Sequence, residues 1–118
     1  MPRVFIPQEP TRKNPITKEP ELFMNFAPAA EFGEIIVCLP PGRVSLSTQP
    51  AIHRLVQSMA EFSDEDYLVA VGDPSLIAMA AAVAATKNRG RFNLLKWDNI
   101  NRCYIKVSVD IFHKPGKD

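Results

Sequence analysis

The sequence predicts a small α/β domain with a mixed sheet, in the order strand, helix, strand, helix, strand, strand, behind an extended Pro-rich N-terminal arm. Three observations carry this. Two short unbroken apolar runs, IIVCL at 35–39 and YLVAV at 67–71, have the length and composition of strands covered on both faces. Each is followed by a segment with helical apolar spacing. The chain then closes on alternation of period two over 102–112. A length of 118 residues suits one domain and is enough to bury a core without staples.

Residues 1–30 read as the arm and 31–118 as a single α/β domain. Six of the 11 prolines fall in the arm, at 2, 7, 10, 15, 20 and 28. At that density proline argues against helix and against central strand. Two apolar patches, VFI at 4–6 and LFMNF at 22–26, need a surface to pack on, either the domain itself or another protein. The RVFI run at 3–6 has the composition of a fifth strand. Beyond 35–39, Pro40-Pro41-Gly42 stops the first strand, and Ser47 or Thr48 supplies a cap for a helix with Ile52, Leu55, Val56, Met59 and Phe62 on one face. Asp64, Glu65 and Asp66 read as a solvated turn. Asp73 caps the second helix and Pro74 occupies its first turn. The alanines of 76–86 lie on every face, so this helix is expected to be buried on more than one side. Asn88-Arg89-Gly90 ends it. Two strand-helix-strand crossovers imply a parallel core, and the short turn at 98–101 makes the last strand antiparallel to the third.

Net charge is +1, so no whole-molecule field selects nucleic acid or an anionic membrane. No apolar run reaches about 18 residues, and MPRVFIPQEPTRKNP lacks the apolar stretch of a secretory signal. A cytoplasmic protein without membrane partners is expected. Cys38 and Cys103, far apart in apolar runs, read as reduced, buried thiols, with a disulfide between neighbouring strands as the alternative.

The turn Gly72-Asp73-Pro74-Ser75 stands between a strand and a helix, where phosphate loops occur, but it has one glycine, a proline that removes a donor and a carboxylate that takes the remaining N–H groups. Arg43 and its neighbouring hydroxyls are a weaker anion site. No cofactor is expected. Asp73 and Asp98 follow adjacent strand ends and could share Mg²⁺ in a hydrolase, yet both residues suit a cap and a turn, and a third carboxylate is missing. His53 and His113 have no Ser or Cys partner that makes a catalytic set. A non-enzymatic protein is the expectation.

The hairpin region carries the clearest charge pattern. Residues 87–118 hold eight Lys or Arg against three Asp, while acidic residues gather at 61–66. On the last strand Cys103, Ile105, Val107, Val109 and Ile111 are assigned to the core, and Arg102, Tyr104, Lys106, Ser108 and Asp110 to solvent. With Arg89, Arg91, Lys96 and Trp97, the residues Arg102, Tyr104 and Lys106 form a candidate nucleic-acid site, with Trp97 and Tyr104 as stacking platforms and the cations on phosphates. An ordinary solvated sheet face is the simpler account of the same pattern. A protein partner, met by this face or by the arm, is the third.

The stretch FSDEDYLVAVGDPSLIAMAAAVAATKNRGRFNLLKWD, with the opening MPRVFIPQ, resembles small uncharacterised proteins of tailed bacteriophages, including marine ones. The resemblance implies a phage-encoded accessory protein made in a bacterial cytoplasm, and carries no residue roles. Open sheet edges and an apolar arm are compatible with a homodimer.

Overall fold

The computed structural model of the chain describes residues 2–9, 11–13, 15–22, 26–40 and 48–114. Arg43, the Ser47 cap, residues 23–25 of the second apolar patch and most of the C-terminal tail lie outside the described residues. The order of elements is β1 (Arg3–Gln8), β2 (Thr11–Lys13), β3 (Pro20–Leu22), a 3-10 helix (Ala27–Phe32), β4 (Glu34–Leu39), α1 (Gln49–Ser58), β5 (Tyr67–Val69), α2 (Pro74–Lys87), β6 (Arg91–Asp98) and β7 (Cys103–Asp110). Five strands form one sheet in the order β4-β1-β5-β6-β7, and β2 and β3 form a separate antiparallel pair. β1 runs parallel to β4 and β5, β5 parallel to β6, and β6 antiparallel to β7. The mixed sheet, its parallel core and its antiparallel last strand are as the sequence predicts.

The position of β1 departs from the proline argument. Arg3–Gln8 is the central strand, and Val4, Phe5 and Ile6 are fully buried. Phe5 faces a cluster with Leu55, Met59, Phe62, Leu68 and Leu76, while Val4 and Ile6 face a second one with Ala29, Val69, Leu95 and Tyr104. Pro7 is tolerated here for a local reason. The Arg3 N–H points to the β5 side, onto Asp66, so the ring nitrogen of Pro7, four residues on, faces the same way. The ladder to β5 ends at Phe5↔Leu68, so the missing N–H falls beyond its last pair. β4 is consequently an edge strand, and its Val37 is exposed despite the unbroken apolar run.

From β1 the chain passes to one neighbour, β4, then returns over β1 through α1 to β5, and moves on through α2 to β6. Both helices therefore share one face, and the 3-10 helix covers the other. Asp73 caps α2 as predicted, accepting from the Ser75 N–H at 2.8 Å. Thr48 stands at the start of α1 without a side-chain cap bond. The α2 helix buries Leu76, Ala80, Val83 and Ala84, packs on both the sheet and α1, and leaves one exposed stripe through Ala78 and Ala82.

Asp66 is not a solvated turn residue. Its side chain is 2 % exposed and accepts from the Arg3 N–H (2.9 Å), the Ser63 N–H (2.9 Å) and the Arg3 guanidinium (3.0 Å). It fastens the start of β1 to the start of β5. At the other side of β1, the Glu34 N–H donates to the Pro2 carbonyl at 3.0 Å, and a Cβ placed on Gly33 would overlap that same carbonyl.

Asp66→Ala leaves two backbone donors unmatched and is expected to cost about 3 kcal/mol, read as a lower urea midpoint at unchanged slope. Gly33→Ala forces β4 away from β1 and is expected to cost about 1–3 kcal/mol in the same assay.

Candidate functional site

The β6–β7 hairpin is built in register from Arg91↔Asp110 to Asp98↔Cys103. Its turn is held by Asp98, which accepts from the Ile100 N–H (2.9 Å) and from Asn101 Nδ2 (2.7 Å). Asn101 is the first cause of the lowered pKa of Asp98, followed by the Ile100 N–H. Arg102 closes the turn at φ +57°, and its N–H donates to the Asp98 carbonyl at 2.8 Å. Asp73 and Asp98 thus act as cap and turn residues. Among the described residues, no three His, Cys, Asp or Glu side chains come together in a metal-binding group.

Register assigns the faces. Phe92, Leu94 and Lys96 of β6, with Cys103, Ile105, Val107 and Val109 of β7, lie on the helix face. Arg91, Asn93, Leu95 and Trp97, with Tyr104, Lys106, Ser108 and Asp110, lie on the 3-10 face. The predicted alternation holds, and Arg102, Lys106, Ser108 and Asp110 are exposed as expected, but Tyr104 is buried and most of the set assigned to the core is not. Tyr104, assigned to solvent, is buried under Trp97 at 5.0 Å between ring centroids. Its hydroxyl has no hydrogen-bond partner among the described residues, and burial raises its pKa. Ile105, Val107 and Ile111, assigned to the core, are 45 %, 39 % and 60 % exposed, and Cys103 is exposed too. The cause is the reach of the helix layer. α2 packs on β1, β5 and β6, and on β7 only Val109 joins the cluster beneath the helices.

The seven predicted nucleic-acid residues do not converge. Trp97 and Arg102 meet at the hairpin tip, with the guanidinium 6.0 Å from the indole centroid and the indole N–H on Asn99 at 2.9 Å. Tyr104 is packed beneath and offers no open ring face. Lys96 and Lys106 are exposed on opposite faces of the sheet. Arg89 and Arg91 sit at the far end of β6, about 20 Å from the tip by strand rise. Arg91 is paired with Asp64 at 3.2 Å, and Asn88 binds the same carboxylate at 2.8 Å. These partners, Asn88 first, hold the Asp64 carboxyl below its usual range. Asp64, Arg91, Asn93, Ser108, Asp110 and His113 line a cleft of about 610 Å³ there, which sequence reasoning did not assemble because Asp64 is distant in the chain.

A protein family described as Phage Pam3 gp32-like protein matches residues 2–111. The chain belongs to that family. The match begins ahead of β1 and ends just past β7, so it takes in every strand of the five-stranded sheet. No curated protein and no solved structure matches the chain. No helix among the described residues is long and apolar enough to cross a membrane.

The two cysteines differ sharply. They lie on the opposite edge strands, β4 and β7, both as free thiols. Burial pushes the Cys38 thiol up to about 11, opposed in part by a hydrogen bond with Ser58. A thiol reagent at mildly alkaline pH is therefore expected to modify Cys103 alone in the folded protein and both cysteines in denaturant. Because the unfolded thiol ionises near pH 9 and the folded one near 11, the unfolded chain holds fewer protons in that window. Stability should fall as pH rises through it, and Cys38→Ala should flatten that part of the curve.

Proposed function

We propose that this phage protein works by binding protein, not by catalysis, and that the binding surface is the open edge of β7. One observation carries the reading. β7 is an eight-residue edge strand whose helix face, beyond the reach of α2, exposes Ile105 and Val107, with Ile111 just past its end. Edge strands are usually blunted by charge, proline or a bulge, and β7 carries only Lys106 and Asp110 as charged residues. An apolar strip beside unpaired backbone donors and acceptors is the arrangement used in strand addition. Among the described segments of the arm, Arg3–Gln8 is committed to the centre of the sheet and is not available as a binding segment. A non-enzymatic role agrees with the local duties of Asp73 and Asp98 and with His53 lying exposed on α1. Synthesis in the host cytoplasm agrees with two free thiols.

Nucleic-acid binding is retained as a second reading for the tip alone, where Arg102 lies over Trp97. One experiment separates the two. Tagged protein and its Val107→Asp variant are purified from phage-infected cells, and Trp97 fluorescence is followed as single-stranded DNA, duplex DNA and RNA are added at low and moderate salt. The expected result is a stoichiometric protein companion, or self-association, that Val107→Asp removes, with no salt-sensitive quenching. Companions unchanged by Val107→Asp, together with quenching that weakens with salt, would replace the protein-binding reading by the nucleic-acid one.

A further inference from the structure

We infer that the occupant of the β7 edge is a second copy of this chain, paired antiparallel about a two-fold axis through Ser108, so that two five-stranded sheets become one of ten. The inference rests on the reading of β7 as a protein-binding edge, and its register comes from the hairpin itself. The Ile111 N–H donates to the Gly90 carbonyl at 2.9 Å, which makes Gly90 and Ile111 a hydrogen-bonded pair. Counting back along the ladder, Val109, Val107, Ile105 and Cys103 also turn their backbone groups to β6. Tyr104, Lys106, Ser108 and Asp110 then present theirs to the open edge. No strand among the described residues pairs with them.

A symmetric antiparallel dimer must therefore match even-numbered residues with even-numbered residues. An axis at Lys106 would set two ammonium groups against each other. An axis at Val107 would oppose Lys106 to the partner's Ser108. An axis at Ser108 opposes Lys106 to the partner's Asp110, and Asp110 to the partner's Lys106, which makes two cross-strand ion pairs on the 3-10 face. On the helix face the same axis sets Val107 against the partner's Val109 and Ile105 against the partner's Ile111. The apolar residues that α2 leaves uncovered then cover one another. The patch is self-complementary in charge and in hydrophobicity, as an isologous interface requires.

The test uses the full chain. Sedimentation velocity from low to high micromolar protein should show a monomer–dimer equilibrium. Lys106→Asp and Asp110→Lys should each weaken the dimer by about tenfold, and the double exchange should recover it. In a Cys103→Ala background, Ser108→Cys should oxidise to a covalent dimer, since Cα atoms of a hydrogen-bonded pair lie within disulfide reach, while Ser75→Cys should not. If a charge variant fails to fold, the Ser108→Cys pair of measurements decides alone. A monomer at every concentration, without Ser108→Cys cross-linking, overturns the inference. If Val107→Asp then still abolishes binding of a different protein, the proposed function stands without it. If no Val107-dependent binding exists either, both fall. A dimer that neither cross-links at Ser108 nor responds to the charge exchange also overturns the inference.

Discussion

The buried Asp66 carboxylate is the contact on which the rest of the architecture depends. It sits where β1 and β5 begin, and joins two strands whose first residues lie far apart in the chain. A carboxylate out of water is costly unless its oxygens are matched, and here two backbone N–H groups and a guanidinium match them. The Arg3 side chain is 26 % exposed, so water still shares the charge and only part of the Coulomb energy reaches stability. The larger effect is positional. With Arg3 fixed, Val4, Phe5 and Ile6 fall in register with β4 and β5 and fill the two halves of the core.

A central first strand has a consequence at the far side of the sheet. Because the chain moves from β1 to β4 and then back across to β5 and β6, both described α-helices lie on one face, over the strands they connect. The fifth strand is reached by a hairpin and brings no helix with it. β7 thus carries the alternation of a half-buried strand while the layer that would bury it stops at β6. On the opposite face the 3-10 helix and the Trp97–Tyr104 contact give cover near the hairpin tip. The exposed strip of Ile105, Val107 and Ile111 is a product of topology, not of a local sequence anomaly.

Sequence reading reaches what local chemistry decides. The strand runs, the Asp73 cap, the Asp98 turn and the antiparallel last strand are written in residues a few positions apart. It does not reach what depends on distant partners. The proline-dense opening looks unfit for a central strand, and only the early end of the β5 ladder makes Pro7 harmless. Asp66 is one acidic residue among three, and only Arg3 separates it from Glu65 in role. For the hairpin, period-two alternation separates two faces but does not say which one is covered. Cys103 and Tyr104 exchange their expected environments for that reason.

Charge shows the same dependence on distance. Along the chain, acidic residues at 61–66 and basic residues at 87–106 read as separated poles. In the fold the acidic turn lies against the start of β6, where Asp64 meets Arg91 and Asn88, while Asp66 takes Arg3. The two poles of the sequence thus meet in space at one ion pair, Arg91 with Asp64. The cations still exposed on the hairpin, Lys96, Arg102 and Lys106, are spread over two faces and a tip. A phosphate backbone is held by several cations along one track, with open rings between them. The hairpin offers one such contact at its tip, whereas its apolar strip is continuous along the edge, and a surface is best matched by the feature it presents without interruption.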